Sequence, residues 1–439
     1  MNKKQLTLSF LLMFFCSLCA GAKKPNVILI ISDDQTWDDY GFMGHPHVHT
    51  PHLDKLASES LLYERGYVSA PLCRPSLASL ATGLHPHQHL IRGNDPVLPG
   101  GVHHRKAPKL SAEWRPKMTA PMKKMPNMIQ SLKDNGYLTL QTGKWWEGDP
   151  LENGFTDAMT HGIVEKGGRH GDEGLKIGRT THAPYYNFVD KAIEQEKPFF
   201  VWYGVFLPHT PHDAREELYL KYKDIASSES EAKYWANIEW FDEVCGDLLS
   251  YLEKKGIADD TIIVYTCDNG WVSNPAQIER SVRSKREPYE DGIRTPIMIK
   301  HSGQVTAKRD TTTLASNIDI APTILKACGI EVPSEMAGLD LRDPAALAAR
   351  DTVFVEDYAH DIELSQLEDV DSDLESRVII SGWDKLIDWR KGKRHIELIN
   401  LENDPNDLKN LASKQPDKVI RLNQELTKWL ESSTKPGLN

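Results

Sequence analysis

Short apolar runs alternate with amphipathic stretches along this chain. Val27 to Ile31 is a continuous, mostly β-branched run, the pattern of a strand buried on both faces. Tyr137 to Thr142, Phe199 to Val205 and Thr261 to Thr266 read as three further strands. A helix is predicted from Pro126 to Asn135-Gly136, with proline near its start and glycine past its end. Ile238, Phe241, Cys245, Leu248 and Leu252 recur at steps of three and four, so they share one face of a long helix between the last two strands. That spacing makes Cys245 a core residue. The alternation of strands and helices predicts an α/β fold with a large, mainly parallel sheet flanked by helices.

After Ala346 the texture changes. Strand-like pieces surround Asp384-Lys385 and Lys391-Gly392-Lys393, and Val419, Leu422, Leu426, Trp429 and Leu430 then mark one helical face. Residues 23–346 are expected to form the larger domain. Residues 347–439 are expected to form a smaller C-terminal α+β subdomain with an antiparallel sheet and a helix.

The N-terminus modifies this picture. Lys3 and Lys4 precede the apolar run Leu6 to Leu18, and Ala20-Gly21-Ala22 follows, which is the signature of a secretory signal peptide over residues 1–22. A lipid anchor on Cys19 fits less well, because Leu18 stands where a small residue is wanted. The expected destination is secreted or periplasmic, with no transmembrane segment. Cleavage would remove two lysines and no acid, taking the net charge from −11 to −13. Such a balance argues against nucleic-acid or anionic-membrane partners. Cys73, Cys245, Cys267 and Cys328 would remain, too few in so long a chain for a disulfide scaffold.

In open α/β sheets ligands bind beyond the carboxyl ends of the strands. Here the four strands run into Ser32-Asp33-Asp34, Gly143-Lys144, Pro208-His209-Thr210-Pro211-His212 and Asp268-Asn269-Gly270. Acids, amides, a lysine and histidines are thus delivered to one edge. Asp33, Asp34, Asp268 and Asn269 are oxygen donors of the kind Ca²⁺ or Mg²⁺ prefers over zinc. Pro75 and Gly83 bracket a helix that begins at Cys73, a position whose dipole favours an anion such as sulfate or phosphate.

Cys73-Arg74-Pro75-Ser76-Leu77 with Leu80-Ala81-Thr82-Gly83 resembles the signature of the sulfatase family, in which the cysteine is oxidised to formylglycine. The resemblance runs along nearly the whole chain after residue 22. It includes Thr50-Pro51-His52-Leu53-Asp54, the segment from Lys285 through Tyr289-Glu290-Asp291-Gly292 to Pro296, Asp319 to Thr323, and Leu398 to Pro405. It implies an alkaline phosphatase-like fold and hydrolysis of a sulfate ester, with Ca²⁺ and a formylglycine derived from Cys73 as cofactors. It further implies that Asp33, Asp34, Cys73, Asp268 and Asn269 hold the metal. Lys144, His209 and Lys285 would grip the sulfate, with Asp268 as base and His209 as acid. The implied partners are a sulfated glycan or polysaccharide and a formylglycine-generating maturation enzyme.

Two positions depart from the family pattern. Leu77 stands where the signature has arginine, and Trp146 where histidine is usual. Arg74 is a candidate substitute for the missing positive charge, and Trp146 a candidate for closing the cleft on a sugar. Arg294 is expected to join Lys144 and Lys285 in a cationic pocket. Trp145, Trp146 and Trp271 suit either stacking on sugar rings or packing of a cleft wall. His45, His47, His49 and His52, and His85, His87 and His89, are expected to be loop histidines near a polar cleft rather than zinc ligands. Two alternatives stay open: a phosphomonoester or phosphodiester hydrolase on the same fold, and a catalytically silent sulfoglycan-binding protein.

Overall fold

The computed structural model describes residues 23–276 and 280–433, and at its centre strand Asn26–Ser32 lies between two parallel neighbours. The expected signal peptide, residues 1–22, lies outside the described residues. Phe199–Gly204 pairs on one side and Thr261–Cys267 on the other, and Leu138–Gly143 pairs in parallel with Phe199–Gly204. All four expected strands are therefore contiguous and point the same way, so their carboxyl ends share one edge. Among the described residues the sheet has nine strands. Arg294–Lys300 runs antiparallel between Thr261–Cys267 and Leu61–Tyr67, which makes an otherwise parallel sheet mixed.

Burial on both faces follows from the sequence of the central strand. Val27, Leu29 and Ile31 join one apolar cluster, together with Leu77 of the Cys73–Thr82 helix. Ile28 and Ile30 join the cluster on the opposite face, with Phe241, Cys245, Leu248 and Leu252 of the helix Glu229–Lys255. Cys245 is accordingly fully buried in the core. The predicted helix after Pro126 is Met128–Asp134. Asn127 rather than the proline starts it, its side chain accepting from Ile129 N at 2.9 Å.

The C-terminal subdomain is a four-stranded antiparallel sheet in the order Thr352–Tyr358, Leu374–Ser381, Asp384–Trp389, His395–Asn400. Leu422 and Leu426 of the helix Pro416–Ser432 cluster with Ile379, Leu386 and Leu398 on one face. Val355, Val378, Ile380 and Ile387 on the other face cluster with Tyr67, Val68 and Ile293 of the larger domain. Polar groups are buried there too. Lys385 Nζ, fully buried, donates to Glu290 Oε1 at 3.1 Å and Asp407 Oδ2 at 2.6 Å. This ties the small sheet to the segment that follows Lys285. Among the described residues no helix is long and apolar enough to cross a membrane, and Cys73, Cys245, Cys267 and Cys328 are all free thiols.

Candidate functional site

The turn after the central strand sets the site. Asp33 N donates to Leu207 O at 3.0 Å, and Asp34 takes a left-handed backbone, φ +63°, that L-residues with a Cβ adopt at a cost. This reversal turns both carboxylates inward. Asp34 N donates to Asp268 Oδ1 at 3.1 Å, so the first and fourth strand ends are stitched together. At the end of Leu138–Gly143, one strand beyond Phe199–Gly204, Gly143 has φ +72°, and a Cβ there would lie 1.7 Å from Gly204 O. Only glycine permits that approach, and Lys144, the next residue, is thereby directed to Asp33.

Asp33, Asp34, Cys73 and Asp268 each offer a donor atom, and these atoms lie within 4.8 Å of one another. All four residues are buried. Lys144 Nζ donates to Asp33 Oδ1 at 2.6 Å and lies 3.5 Å from Asp268 Oδ2. Lys285 Nζ donates to both oxygens of Asp34, at 2.6 and 2.8 Å. Asn269 Nδ2 donates to Asp34 Oδ1 at 2.7 Å. Among the expected metal ligands, two buried oxygens have no partner, Asp33 Oδ2 and Asn269 Oδ1. Orphaned acceptors beside three converging carboxylates are what a hard cation with oxygen ligands would satisfy, so the donor set fits calcium.

The electrostatics point the same way. Burial, against the pull of Lys144, raises the Asp33 carboxyl above its ordinary range, and the adjacent Asp34 adds to the shift. Burial and repulsion from Asp33 push Asp268 up to about 7. Asp34 alone is lowered, to about 2, because Lys285, His209 and Lys144 outweigh its burial. Burial opposes the charge on Lys144, yet Asp33, Cys73 and Asp268 hold it well above its usual value. The cluster thus carries more negative charge than its two lysines comfortably balance. Burial, reinforced by Asp268, lifts the Cys73 thiol to about 12, so at neutral pH it is a thiol rather than a thiolate.

His209 sits at the mouth. Its Nδ1 donates to Thr210 O at 2.6 Å, which directs Nε2 to Asp34 Oδ2 at 3.4 Å. Its ring stacks on Phe206 at 4.4 Å. Burial, with Lys144 and Lys285 nearby, depresses it to about 3 despite Asp34. His212 is set back, tilted against Tyr234 at 5.3 Å.

Above the cluster opens a cleft of about 530 Å³, with Cys73, Lys144, His209 and Lys285 among its lining residues. The structure corrects several expectations around it. Arg74 does not face the cleft: its guanidinium is fully buried and held bidentately by Glu147, at 2.7 and 2.9 Å, with Gly93 O and Met118 O completing its bonds. Arg294 does not line the cleft either; it lies over Trp37 at 3.9 Å and donates to Glu64 O. Trp145 belongs to the core, edge-on to Phe155 and Trp202. Trp146 and Trp271 do line the cleft, but both are nearly buried, and Trp146 is packed against His170 and the guanidinium of Arg169. They form wall.

His85, His87 and His89 are buried beneath the Cys73 helix rather than beside the cleft. His87 is paired with Glu356 at 2.8 Å, and His89 with Ser79 at 3.0 Å. The nitrogen of His45 that accepts from His47 N and Val48 N is spent on its own loop, and His45 and His47 pack on Trp235.

Asn94, Arg105, Arg169, His170, Arg280, Arg286 and His360 also line the cleft, and none was among the residues expected there. Arg286 adjoins Lys285, and Arg105 lies in the basic run His103-His104-Arg105-Lys106. Those were the available signals. The others come from loops without any pattern.

Residues 25–330 match the family model described as Sulfatase, and residues 279–435 match that described as N-sulphoglucosamine sulphohydrolase, C-terminal. N-acetylgalactosamine-6-sulfatase of Rattus norvegicus is 28% identical over 368 residues, covering 74% of this chain and 66% of its own length. The chain therefore spans just under two thirds of that relative. N-acetylglucosamine-6-O-sulfatase of Bacteroides thetaiotaomicron is 24% identical, covering 94% of this chain and 87% of its own. Among solved structures, one described as a complex with its substrate D-glucosamine-2-N,6-O-disulfate superposes with a TM-score of 0.73 at 19% identity, covering 95% of this chain and all of that one. The PsFucS1 sulfatase from Pseudoalteromonas sp. superposes at 0.65 and 20% identity, covering 94% and 92%.

Proposed function

The chain belongs to the sulfatase family, and we propose that it hydrolyses a sulfate ester on a carbohydrate at the Cys73 cluster, using Ca²⁺ and a formylglycine formed from Cys73. The observation that carries this reading is the convergence of Asp33, Asp34, Cys73 and Asp268 beneath two buried lysines at the floor of a cationic cleft. Asp33, Asp34, Asp268 and Asn269, with residue 73, would hold the metal. The sugar names carried by the relatives support a carbohydrate substrate.

When present, the two groups supply positive charge for the transferring oxygens and a pair of geminal hydroxyls, one to attack sulfur and one to expel sulfate. The chain's own residues do the rest. Lys144 and Lys285, both charged and held by Asp33 and Asp34, bind the sulfate oxygens and orient the ester against position 73. Asp268, raised towards neutrality by burial and Asp33, is suited to take a proton from the attacking hydroxyl. His209, with Nδ1 fixed on Thr210 O, presents Nε2 for the leaving alcohol. An anionic ester beside it would favour its charged form, against the depression by burial and the two lysines. The buried, protonated Cys73 thiol is poorly suited to ordinary thiolate attack, which favours the modified residue as nucleophile.

The signal-like segment supports action outside the cytoplasm, secreted or periplasmic, and the reading requires a formylglycine-generating partner enzyme. Leu77, on the Cys73–Thr82 helix, is buried in the apolar core and does not line the cleft. The test is mass spectrometry of the Cys73 peptide from protein made in a host with the maturation enzyme, alongside sulfate release from sulfated sugars. Conversion at position 73, with release abolished by Cys73→Ala, is expected. Unmodified cysteine with no release across a broad glycan panel would replace this reading with the binding-protein alternative. Release of phosphate but not sulfate would replace it with the phosphohydrolase.

A further inference from the structure

Six cationic side chains line the cleft, Arg105, Lys144, Arg169, Arg280, Lys285 and Arg286, and no carboxylate lines it among the described residues. Four of the six are already engaged. Asp33 holds Lys144, Asp34 holds Lys285, Asp95 holds Arg169 through both oxygens, and Glu287 lies 3.2 Å from Arg280. Arg105 and Arg286 have no carboxylate within 4 Å among the described residues.

Arg286 is the more telling of the two. It is half-buried, so its guanidinium gives up hydration without a direct partner in return. Its backbone is left-handed, φ +68°, and is pinned by its N–H donating to Pro71 O at 2.7 Å, two residues before Cys73. Burial and Arg280 disfavour its charge, while Glu375, Asp357 and Asp361 favour it from beyond bonding distance. Its donors are left free for a ligand.

A sulfate monoester carries one negative charge, which Lys144, Lys285 and the metal already match. Resting on the sulfatase reading, we propose that Arg286 and Arg105 form a second anion subsite, and that the substrate is a sugar bearing another anionic group beside the scissile ester. Both a uronate carboxylate and a second sulfate present the planar or trigonal oxygen array that a guanidinium fork binds.

The test is calorimetric binding to full-length, calcium-loaded Cys73→Ala protein, which holds substrate without turnover. Three probes are compared: N-acetylglucosamine 6-sulfate, glucosamine 2-N,6-O-disulfate, and a 6-sulfated hexosamine linked to glucuronate. One or both doubly anionic probes should bind about ten- to a hundredfold tighter than the monosulfate, and the better one identifies the second group. Adding Arg286→Gln should bring the ratio close to one, Arg286→Lys should restore part of it, and Arg105→Gln should lower it. Thermal melts confirm that the variants fold. A ratio near one in the Cys73→Ala protein, or a ratio unmoved by Arg286→Gln with Arg105→Gln, overturns the subsite alone. Failure of these probes and of a broad panel of other sulfated glycans to bind overturns the sulfatase reading with it.

Discussion

Replacing Glu147 tests whether Arg74 is structural or electrostatic in service of residue 73. Both side chains are buried, Arg74 at 0% exposure and Glu147 at 4%, and the pair is bidentate. Glu147→Leu leaves the guanidinium with only the carbonyls of Gly93 and Met118. Removing one partner of such a pair costs about 3–5 kcal/mol, because the remaining charge stays desolvated. For a chain of this size, about 2.1 cal/mol/K of unfolding entropy per residue turns that into a fall in Tm of about 3–5 °C in a single cooperative transition. Arg74→Met with Glu147→Leu should recover at least about 2 kcal/mol relative to the sum of the single changes, since no charge remains buried. Differential scanning calorimetry of the four proteins completes the cycle. Activity should fall more steeply than stability in Glu147→Leu, because Arg74 adjoins residue 73 at the start of the helix. A Tm within about 1 °C of the parent for Glu147→Leu would falsify the assignment, placing the pair among those worth little, as exposed bridges are.

Further outcomes follow from the same geometry. Calcium binding should weaken about tenfold per pH unit below about 7, because the raised Asp268 must lose its proton for the ion to enter, and calorimetry in buffers of different ionisation enthalpy should show proton release; pH-independent binding between 5.5 and 7.5, values set about that titration, would sink this. His209→Ala should lower kcat/KM about 10²–10⁴-fold on sugar sulfates but far less on aryl sulfates with good leaving groups, which need no acid; equal losses on both would remove His209 from proton transfer. Gly143→Ala should destabilise severely, since its Cβ has nowhere to go against Gly204 O, and retention of the parental melting curve would contradict that contact. Lys385→Met should cost about 3–5 kcal/mol and expose the small sheet to hydrogen exchange, by stranding Glu290 and Asp407; unchanged protection would refute it.

What the sequence by itself determined is the part governed by local pattern. The run Val27 to Ile31 specifies a strand buried on both faces because consecutive β-branched residues have no polar side to offer water. The steps of three and four at Ile238 to Leu252 put Cys245 in the core, where it lies. Parallel strands deliver their following residues to one edge, so Asp33, Asp34, Lys144, His209, Asp268 and Asn269 were legible as a group before any geometry was known.

Only the tertiary structure decided the direction of side chains whose partners are distant in the chain. Arg74 looked available to the nucleophile, yet it faces Glu147, 73 residues away, because a guanidinium inside an apolar layer must find a carboxylate. Arg294 left the cleft for Trp37, and His87 was drawn beneath the helix by Glu356, 269 residues away. The cleft's second set of cations, Arg105 and Arg286, comes from a three-residue helical turn, His104–Lys106, and a separate loop turn, both too short to carry a period to read. Local periodicity reports which face of an element is dry. It cannot report which ion lies opposite, because pairing of buried charges is settled by desolvation across the assembled fold, and that term does not exist until the elements have packed.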